Sequence, residues 1–154
     1  MFVGVSTLNL DAKGRVAVPA KHRQTLADCC ASRVVVTDYP IAGERCLWLY
    51  PENEWRGVAR TLSRLPTMDR QAQALRRLVI GYASELELDG QGRILLTNEQ
   101  REFAGLDKRV VLLGQVQKFE IWDEQVWSDN QPEWQAEVMS EGGGLSEALE
   151  GITL

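Results

Sequence analysis

Residues 8–23 read LNLDAKGRVAVPAKHR, and residues 86–101 read LELDGQGRILLTNEQR. The two stretches align without a gap, and matched positions carry the same leucine, aspartate, glycine and arginine residues. The identical pairs are Leu8 and Leu86, Leu10 and Leu88, Asp11 and Asp89, Gly14 and Gly92, Arg15 and Arg93, and Arg23 and Arg101. So many matches in register do not arise by chance, and such a repeat indicates two copies of one structural unit.

Each copy is predicted to begin with a β-hairpin. Apolar and polar residues alternate over residues 5–11, which is typical of a strand with one buried face. Residues 11–14 read DAKG, a turn in which Gly14 supplies the positive φ that a three-residue loop needs. The return strand covers residues 15–18 and ends at Pro19, because proline has no N–H to donate to a neighbouring strand.

The remaining elements follow the same order in both copies. In the first copy we predict a short helix over residues 20–26, strands over 33–37 and 46–50, and a helix over 51–62. In the second copy we predict strands over 86–89, 93–96, 109–113 and 118–122, a short helix from its cap Asn98 to Phe103, and a last helix beginning at 123–127. Two helices broken at Leu65-Pro66, the second capped by Thr67, link the copies. After about residue 130 the apolar pattern fades, which indicates a loosely ordered end.

One copy cannot bury its own apolar residues. An isolated hairpin is marginally stable in water, and the inward-facing side chains Leu8, Leu10, Val16 and Val18 have no cover within their unit. We therefore expect an α+β fold in which the copies cover each other about a pseudo-two-fold axis, with interleaved strands in one composite domain. The predicted divisions are a first half over 5–52, a helical linker over 53–82, a second half over 83–126 and an acidic tail over 127–154.

Charge is unevenly distributed along the chain. The net charge is −5, but residues 120–154 hold nine acidic residues and no lysine or arginine. Residues 1–119 therefore hold 17 basic and 13 acidic residues, a net charge of +4. One interpretation of a basic body with an acidic tail is that the body binds a polyanion. The other is that the tail only aids solubility, and it explains the charges equally well.

Composition favours a cytoplasmic protein. No apolar run approaches a membrane span, and the first residues lack the pattern of a secretory signal. Three cysteines without paired spacing indicate a reducing compartment, and a single histidine, His22, argues against a zinc site. We expect His22 to be a solvated helix residue. No catalytic triad, phosphate-binding loop or dinucleotide fingerprint is present, so an enzyme is not expected.

An Asp-x-x-x-Arg motif occurs once in each copy, as Asp11/Arg15 and as Asp89/Arg93. Across a three-residue loop the aspartate and arginine oppose each other. One interpretation is a cross-strand ion pair that only fixes the turn. The other is that the aspartate orients the arginine fork towards a phosphate or a guanine edge. Spacing alone favours the structural role.

Neighbouring charges favour binding to nucleic acid. The first copy adds further basic residues, which could form one patch with Arg15: Lys13, Lys21, His22, Arg23 and Arg33. The second copy is less basic, since Gln91 replaces Lys13, so we expect the first copy to be the main surface. We interpret the five tryptophans as packing residues rather than a stacking platform, and the linker arginines as a solvated helix face.

Three segments resemble a known family. They are MFVGVSTLNLDAKGRVAVPAKHR (1–23), YASELELDGQGRILL (82–96) and LLGQVQKFEIWDEQVW (112–127). Together they resemble the MraZ proteins, which are bacterial transcriptional regulators of the AbrB-like, swapped-hairpin superfamily. The resemblance covers about residues 1–128.

The resemblance implies a tandem duplicated AbrB-like swapped-hairpin β-barrel with short flanking helices, assembled into a ring-shaped homo-oligomer. It also implies binding to repeated, G-containing sites in double-stranded promoter DNA ahead of the division and cell-wall gene cluster, mostly as a repressor that includes its own operon among its targets. By position the family's DNA-binding motif falls on Asp11/Arg15 and Asp89/Arg93. Thr97 stands in place of Pro19, so we expect the second return strand to end differently.

We therefore expect a DNA-binding regulator at the nucleoid, with no cofactor, metal, membrane partner or small-molecule substrate. Arg15 would read bases, Lys13, Lys21 and Arg23 would hold phosphates, and Arg93 would be secondary. The alternative is a protein-interaction scaffold or an inhibitor of a neighbouring enzyme.

Overall fold

A computed structural model describes residues 1–139 and 147–149 of the chain. Residues 1–124 form one compact unit that contains both copies of the repeat, and the described residues from 125 onward form a second. Over the described residues, none of the helices has the length and apolar character needed to cross a membrane. The boundaries predicted for the halves, the linker and the tail stay predictions.

The first unit is a mixed α+β structure. Its strands are β1 (Val5–Asn9), β2 (Arg15–Ala17), β3 (Arg33–Tyr39), β4 (Cys46–Pro51), β5 (Ser84–Glu87), β6 (Arg93–Leu95), β7 (Arg109–Gly114) and β8 (Phe119–Asp123). Its helices are α1 (Ala20–Cys30), α2 (Glu52–Ser63), α3 (Arg70–Val79) and α4 (Asn98–Ala104). Helix α5 (Glu124–Met139) comes next in the chain and lies almost wholly in the second unit. The predicted elements are therefore all present, with shifts at their ends.

The strands of the two copies pair with each other. An antiparallel sheet has the order β1-β7-β8-β4-β3-β5, so β1 pairs with β7 of the second copy while β5 pairs with β3 of the first. Strands β2 and β6 form a separate antiparallel pair in which Val16 lies opposite Ile94. Because equivalent strands exchange partners reciprocally, the pairing confirms that the copies interleave.

The sequence predicted that each copy begins with a β-hairpin whose two strands pair with each other, and this prediction was wrong. Two backbone hydrogen bonds close the first turn, from Asp11 N to Arg15 O and from Gly14 N to Asp11 O, each at 3.0 Å. Beyond it the strands separate, since β1 joins the six-stranded sheet and β2 joins β6. The physical reason is burial: the partner copy covers the apolar face of each strand, which a two-stranded hairpin leaves in water.

The main core joins the six-stranded sheet to β2, β6 and α1. Val16, Val18, Ile94 and Leu96 are each at most 3% exposed, and they come from equivalent positions of the two copies. The four repeat leucines are half-buried against the same cluster: Leu8, Leu10, Leu86 and Leu88. A second cluster, built from Val35, Tyr50, Trp55 and Val79, packs α2 and α3 onto β3 and β4.

Two helix starts differ from the prediction. Helix α3 is capped by Asp69, whose carboxylate accepts from Ala72 N at 2.8 Å, and Thr67 lies in the turn before it. Helix α4 is capped by Thr97 rather than Asn98, through a capping box with Gln100. Three residues after Asn98 stands Arg101, which has no acceptor to complete such a box.

Three other predictions about the ends of elements were wrong. Strands β2 and β6 end at equivalent residues, Ala17 and Leu95, because Pro19 and Thr97 both serve as N-caps. Helix α1 continues to Cys30. Helix α5 continues past residue 130 to Met139, and the rings of Trp127 and Trp134 pack 5.2 Å apart on either side of Pro132. Residues 140–146 and 150–154 of the predicted loosely ordered end lie outside the described residues.

Candidate nucleic-acid interface

The first Asp-x-x-x-Arg motif forms one turn held by its aspartate. The Asp11 Oδ1 atom accepts from Lys13 N at 3.0 Å and from Arg15 N at 2.8 Å. Its Oδ2 atom accepts from Arg15 Nε at 2.8 Å. The ion pair is therefore contained within the turn, and a cross-strand pair on a hairpin ladder does not form.

The second motif repeats this geometry. Asp89 accepts from Gln91 N at 2.9 Å, from Arg93 N at 2.8 Å and from Arg93 Nε at 2.8 Å. In both turns the hydrogen bond from the backbone N–H of the arginine is the largest cause that lowers the pKa of the aspartate. Both carboxylates are thus ionised at neutral pH, and the same contacts fix the turn and orient the arginine.

Each arginine keeps its outer nitrogens available. The carboxylate occupies Nε, and among the residues that the structure describes neither Nη atom of Arg15 or Arg93 has a hydrogen-bond partner. The two side chains are 30% and 31% exposed. A guanidinium held at Nε with its two Nη groups free can donate two parallel hydrogen bonds to a guanine edge or a phosphate.

Both arginines lie on one face of the β2–β6 pair. Val16 and Ile94 are opposite each other and buried in the core. Side chains alternate along a strand, so Arg15 and Arg93 project from the other face, which faces solvent. The structure therefore brings the two motifs together, although they stand 78 positions apart in the sequence.

The predicted phosphate-binding residues are spread over several places. Lys13 is exposed within the first turn, next to Arg15. Lys21 is exposed on α1, and its Nζ lies beside Gly4. Arg23 is half-buried, donates from Nε to Val18 O at 2.7 Å, and lies against Gly92 of the second turn. Arg23 is thus placed at the turn of the opposite copy.

Two members of the predicted basic patch do not contribute to it. His22 is 7% exposed and packs against the rings of Phe2 and Phe119, with centroids 5.6 and 4.9 Å away. Burial lowers its pKa, so the ring is neutral at physiological pH. Arg33 forms an ion pair with Glu52 at 2.6 Å. The expectation of a solvated His22 was wrong, because position 22 faces the core with Leu26 and Cys30.

Arg101 is a residue that the sequence prediction missed. Its guanidinium lies against Gly14 of the first turn, as that of Arg23 lies against Gly92. The signal was present, since Arg23 and Arg101 are an identical pair of the repeat. Within the described part of the chain, no group of three or more His, Cys, Asp or Glu side chains is arranged to hold a metal ion.

The tryptophans of the first unit serve packing. Trp55 and Trp122 are 8% and 1% exposed. Trp48 stacks on Tyr39, with centroids 4.1 Å apart, and Lys118 Nζ lies 4.1 Å from its ring centroid. These contacts leave no row of open aromatic faces on this unit.

The sequence is similar over its length to known proteins. The family model of the MraZ protein, described as antitoxin-like, matches residues 1–78 and 79–142. A transcriptional regulator MraZ from Thioalkalivibrio sulfidiphilus (strain HL-EbGR7) is 48% identical over 154 residues, which cover 100% of both chains. A protein of the same name from Halorhodospira halophila (strain DSM 244 / SL1) is 47% identical over 155 residues, again 100% of both chains. Another, from Methylococcus capsulatus (strain ATCC 33009 / NCIMB 11132 / Bath), is 47% identical over 142 residues, covering 92% of this chain and 91% of its own.

Proposed function

Since this chain belongs to the MraZ family, we propose that it is a sequence-specific, DNA-binding transcriptional regulator and not an enzyme. The names of its relatives support the regulatory role. The observation that carries the DNA-binding role is the pair of Asp-held arginines on one open face of β2–β6.

Arg15 is the principal base-reading residue in this proposal. Asp11 holds its Nε, so the two Nη groups present a fixed fork that matches the O6 and N7 acceptors of guanine in the major groove. Lys13 lies in the same turn and reaches the adjacent phosphate, and Lys21 and Arg23 are the further phosphate contacts predicted from the sequence. Arg93, held by Asp89, makes a second and weaker contact because Gln91 replaces the lysine of the first turn.

Assembly supplies the affinity that one chain lacks. A few arginines and lysines per chain give weak binding, whereas linked copies on repeated sites gain from effective concentration. We therefore propose a ring-shaped homo-oligomer on repeated promoter sites, acting mostly as a repressor of its own operon and of the division and cell-wall gene cluster. The reciprocal strand pairing supports an AbrB-like swapped-hairpin barrel as the scaffold, and a regulator of this kind works in the cytoplasm at the nucleoid.

Binding of DNA from the protein's own upstream region tests the proposal. We expect Arg15→Ala to weaken binding at physiological salt by about 1–3 kcal/mol per site, since that is the value of a bidentate guanine contact. Fluorescence anisotropy with a labelled duplex measures the affinity, and thermal unfolding verifies that the variant is folded.

Arg60→Ala is the matched control, because Arg60 is an exposed arginine on α2. If Arg60→Ala lost binding and Arg15→Ala did not, the linker helices would be the binding surface and the proposal would be wrong. No binding by the wild-type chain even at low salt would favour the interaction scaffold.

A further inference from the structure

The turn of each copy is covered by the helix arginine of the other copy. Arg23 extends from α1 of the first copy onto Gly92, the residue before Arg93. Arg101 extends from α4 of the second copy onto Gly14, the residue before Arg15. The two contacts are reciprocal, like the strand pairing around them.

Arg23 lies so close to Gly92 that it would have to move to admit a side chain there. A Cβ built on Gly92 would lie 2.7 Å from both Cδ and Cζ of Arg23, closer than real Cβ atoms approach other atoms. Arg23 Nε donates to Val18 O at 2.7 Å, and Val18 N donates to Gly92 O at 2.8 Å. Arginine, strand end and turn therefore form one connected set of contacts.

The contact at Gly14 has the same form. A Cβ there would lie 2.7 Å from Arg101 Cζ and 2.8 Å from its Nε, and Leu96 N donates to Gly14 O at 2.9 Å. The Arg101 Nη2 atom donates to Asn98 Oδ1. Its Nε atom is buried and, among the described residues, has no hydrogen-bond partner, and the Cβ position of Gly14 lies beside it.

We propose that Arg101 and Arg23 are positioning residues that set the turns of the opposite copy, and with them the arginines that contact DNA. The inference rests on the proposed function and deepens it. Arg101 acts on the Arg15 turn, and Arg23 acts on the Arg93 turn in addition to the phosphate contact proposed for it, so Arg101 tests the positioning role alone. The two turns thus form one reading unit, and neither copy presents its own arginine without a helix of the other.

If Arg101 contacted a phosphate instead, its substitution would change DNA binding in a different way. Losing one phosphate contact lowers the slope of log K against log salt by about 1 and weakens specific and non-specific binding alike. Losing a positioning contact leaves the slope unchanged and weakens only the specific complex. Lysine keeps the positive charge but lacks the flat guanidinium that lies against Gly14, so Arg101→Lys separates a phosphate contact from a positioning role.

The experiment uses the full chain and two labelled duplexes, its own upstream region and a scrambled sequence. We expect Arg101→Lys to weaken specific binding about tenfold, roughly the value of one bidentate base contact. Non-specific binding and the salt slope should stay at their wild-type values. Lys108→Arg, an exchange at an exposed residue, is the control. Wild-type specific affinity for Arg101→Lys, or a parallel loss on both duplexes, would overturn the inference.

Hydrogen exchange gives a readout without DNA. The amides of Lys13, Gly14 and Arg15 donate within the first turn, so their exchange reports how firmly the turn is held. We expect Arg101→Lys to speed exchange in a peptide covering residues 11–16, with peptides of β3 and β4 unchanged. Unchanged exchange in residues 11–16 would refute the positioning role. If the wild-type chain bound no DNA, the proposed function would fail while this measurement still decided the contact.

Discussion

At the scale of single residues, one carboxylate performs two tasks in each turn. Asp11 accepts two backbone N–H groups and the Arg15 Nε, and these contacts lower its pKa below the ordinary value of 3.8. A lowered pKa means that the stabilising contacts are complete above pH 3.8 and are lost as the pH falls through the folded-state value. The turn is therefore fully formed at neutral pH, and Arg15 is oriented before any ligand arrives.

Asp38 shows the opposite shift and provides a prediction. It is 4% exposed, its Oδ1 has no hydrogen-bond partner among residues 1–139 and 147–149, and burial raises its pKa to about 6. The folded chain therefore resists ionisation, and its stability falls as the pH rises from about 4 to about 6. We expect Asp38→Asn to change the free energy of unfolding more favourably at pH 8 than at pH 4, by up to about 3 kcal/mol, since each of the roughly two pKa units is worth about 1.4 kcal/mol.

Urea unfolding followed by tryptophan fluorescence at the two pH values measures this difference. Comparing the pH values cancels any cost of burying the amide, which is the same in both. Asp28→Asn, which removes a carboxylate from an exposed residue of α1, is the control. An equal effect of Asp38→Asn at pH 4 and pH 8 would contradict a buried, ionised Asp38.

At the scale of elements, α4 of the second copy is hydrogen-bonded to the first copy through the side chain of Gln100. The Gln100 side chain accepts from Thr97 N at 3.2 Å to complete the cap. The same side chain donates to Val36 O and Tyr82 O at 3.0 Å, which ties α4 to β3 and to the segment before β5. The equivalent position of the first copy holds His22, which packs between aromatic rings instead. The repeat thus keeps a buried residue at this position while its chemistry differs.

Removing the Gln100 side chain should therefore destabilise the first unit. Gln100 is fully buried, and Gln100→Ala leaves two backbone carbonyls without their donor and opens a cavity. We expect a loss of about 2–4 kcal/mol in the free energy of unfolding. Glu99→Ala, at the exposed neighbouring residue, should change it by no more than about 0.5 kcal/mol. Urea denaturation measures both, and similar values for the two variants would show that the Gln100 network carries no stability.

At the scale of the molecule, the local elements and the interleaving of the copies were predictable, whereas the particular strand pairs were not. The repeat and the α+β class followed from alternation, turn glycines and matched residues such as Gly14 and Gly92. Alternation shows which face of a strand is buried, but it does not show which strand lies beside it. The sequence therefore located Arg15 and Arg93, while the identity of the exchanged strands, and with it the contact of Arg101 with Gly14, depended on contacts far apart in the chain.

The interleaved pairing leads to a prediction about fragments. Without the second copy, β1 loses β7 and β3 loses β5, and the apolar face carrying Val16 and Val18 loses Ile94 and Leu96. We expect fragment 1–81 not to exist as a folded monomer, because a half with uncovered strands stays unfolded or pairs with a second copy. Mixing it with fragment 82–139 should restore the circular dichroism spectrum of the full chain in a one-to-one complex.

Fragment 1–124 is the matched control, since these residues form a compact unit that retains both copies. It should remain folded with a cooperative thermal transition. Light scattering after size-exclusion chromatography gives the mass of each species, and circular dichroism gives its folded content. A monomeric fragment 1–81 with a cooperative transition would show that one copy is self-sufficient. The strand exchange would then be a result of duplication and not a requirement of the fold, because one copy would fold without the strands of the other.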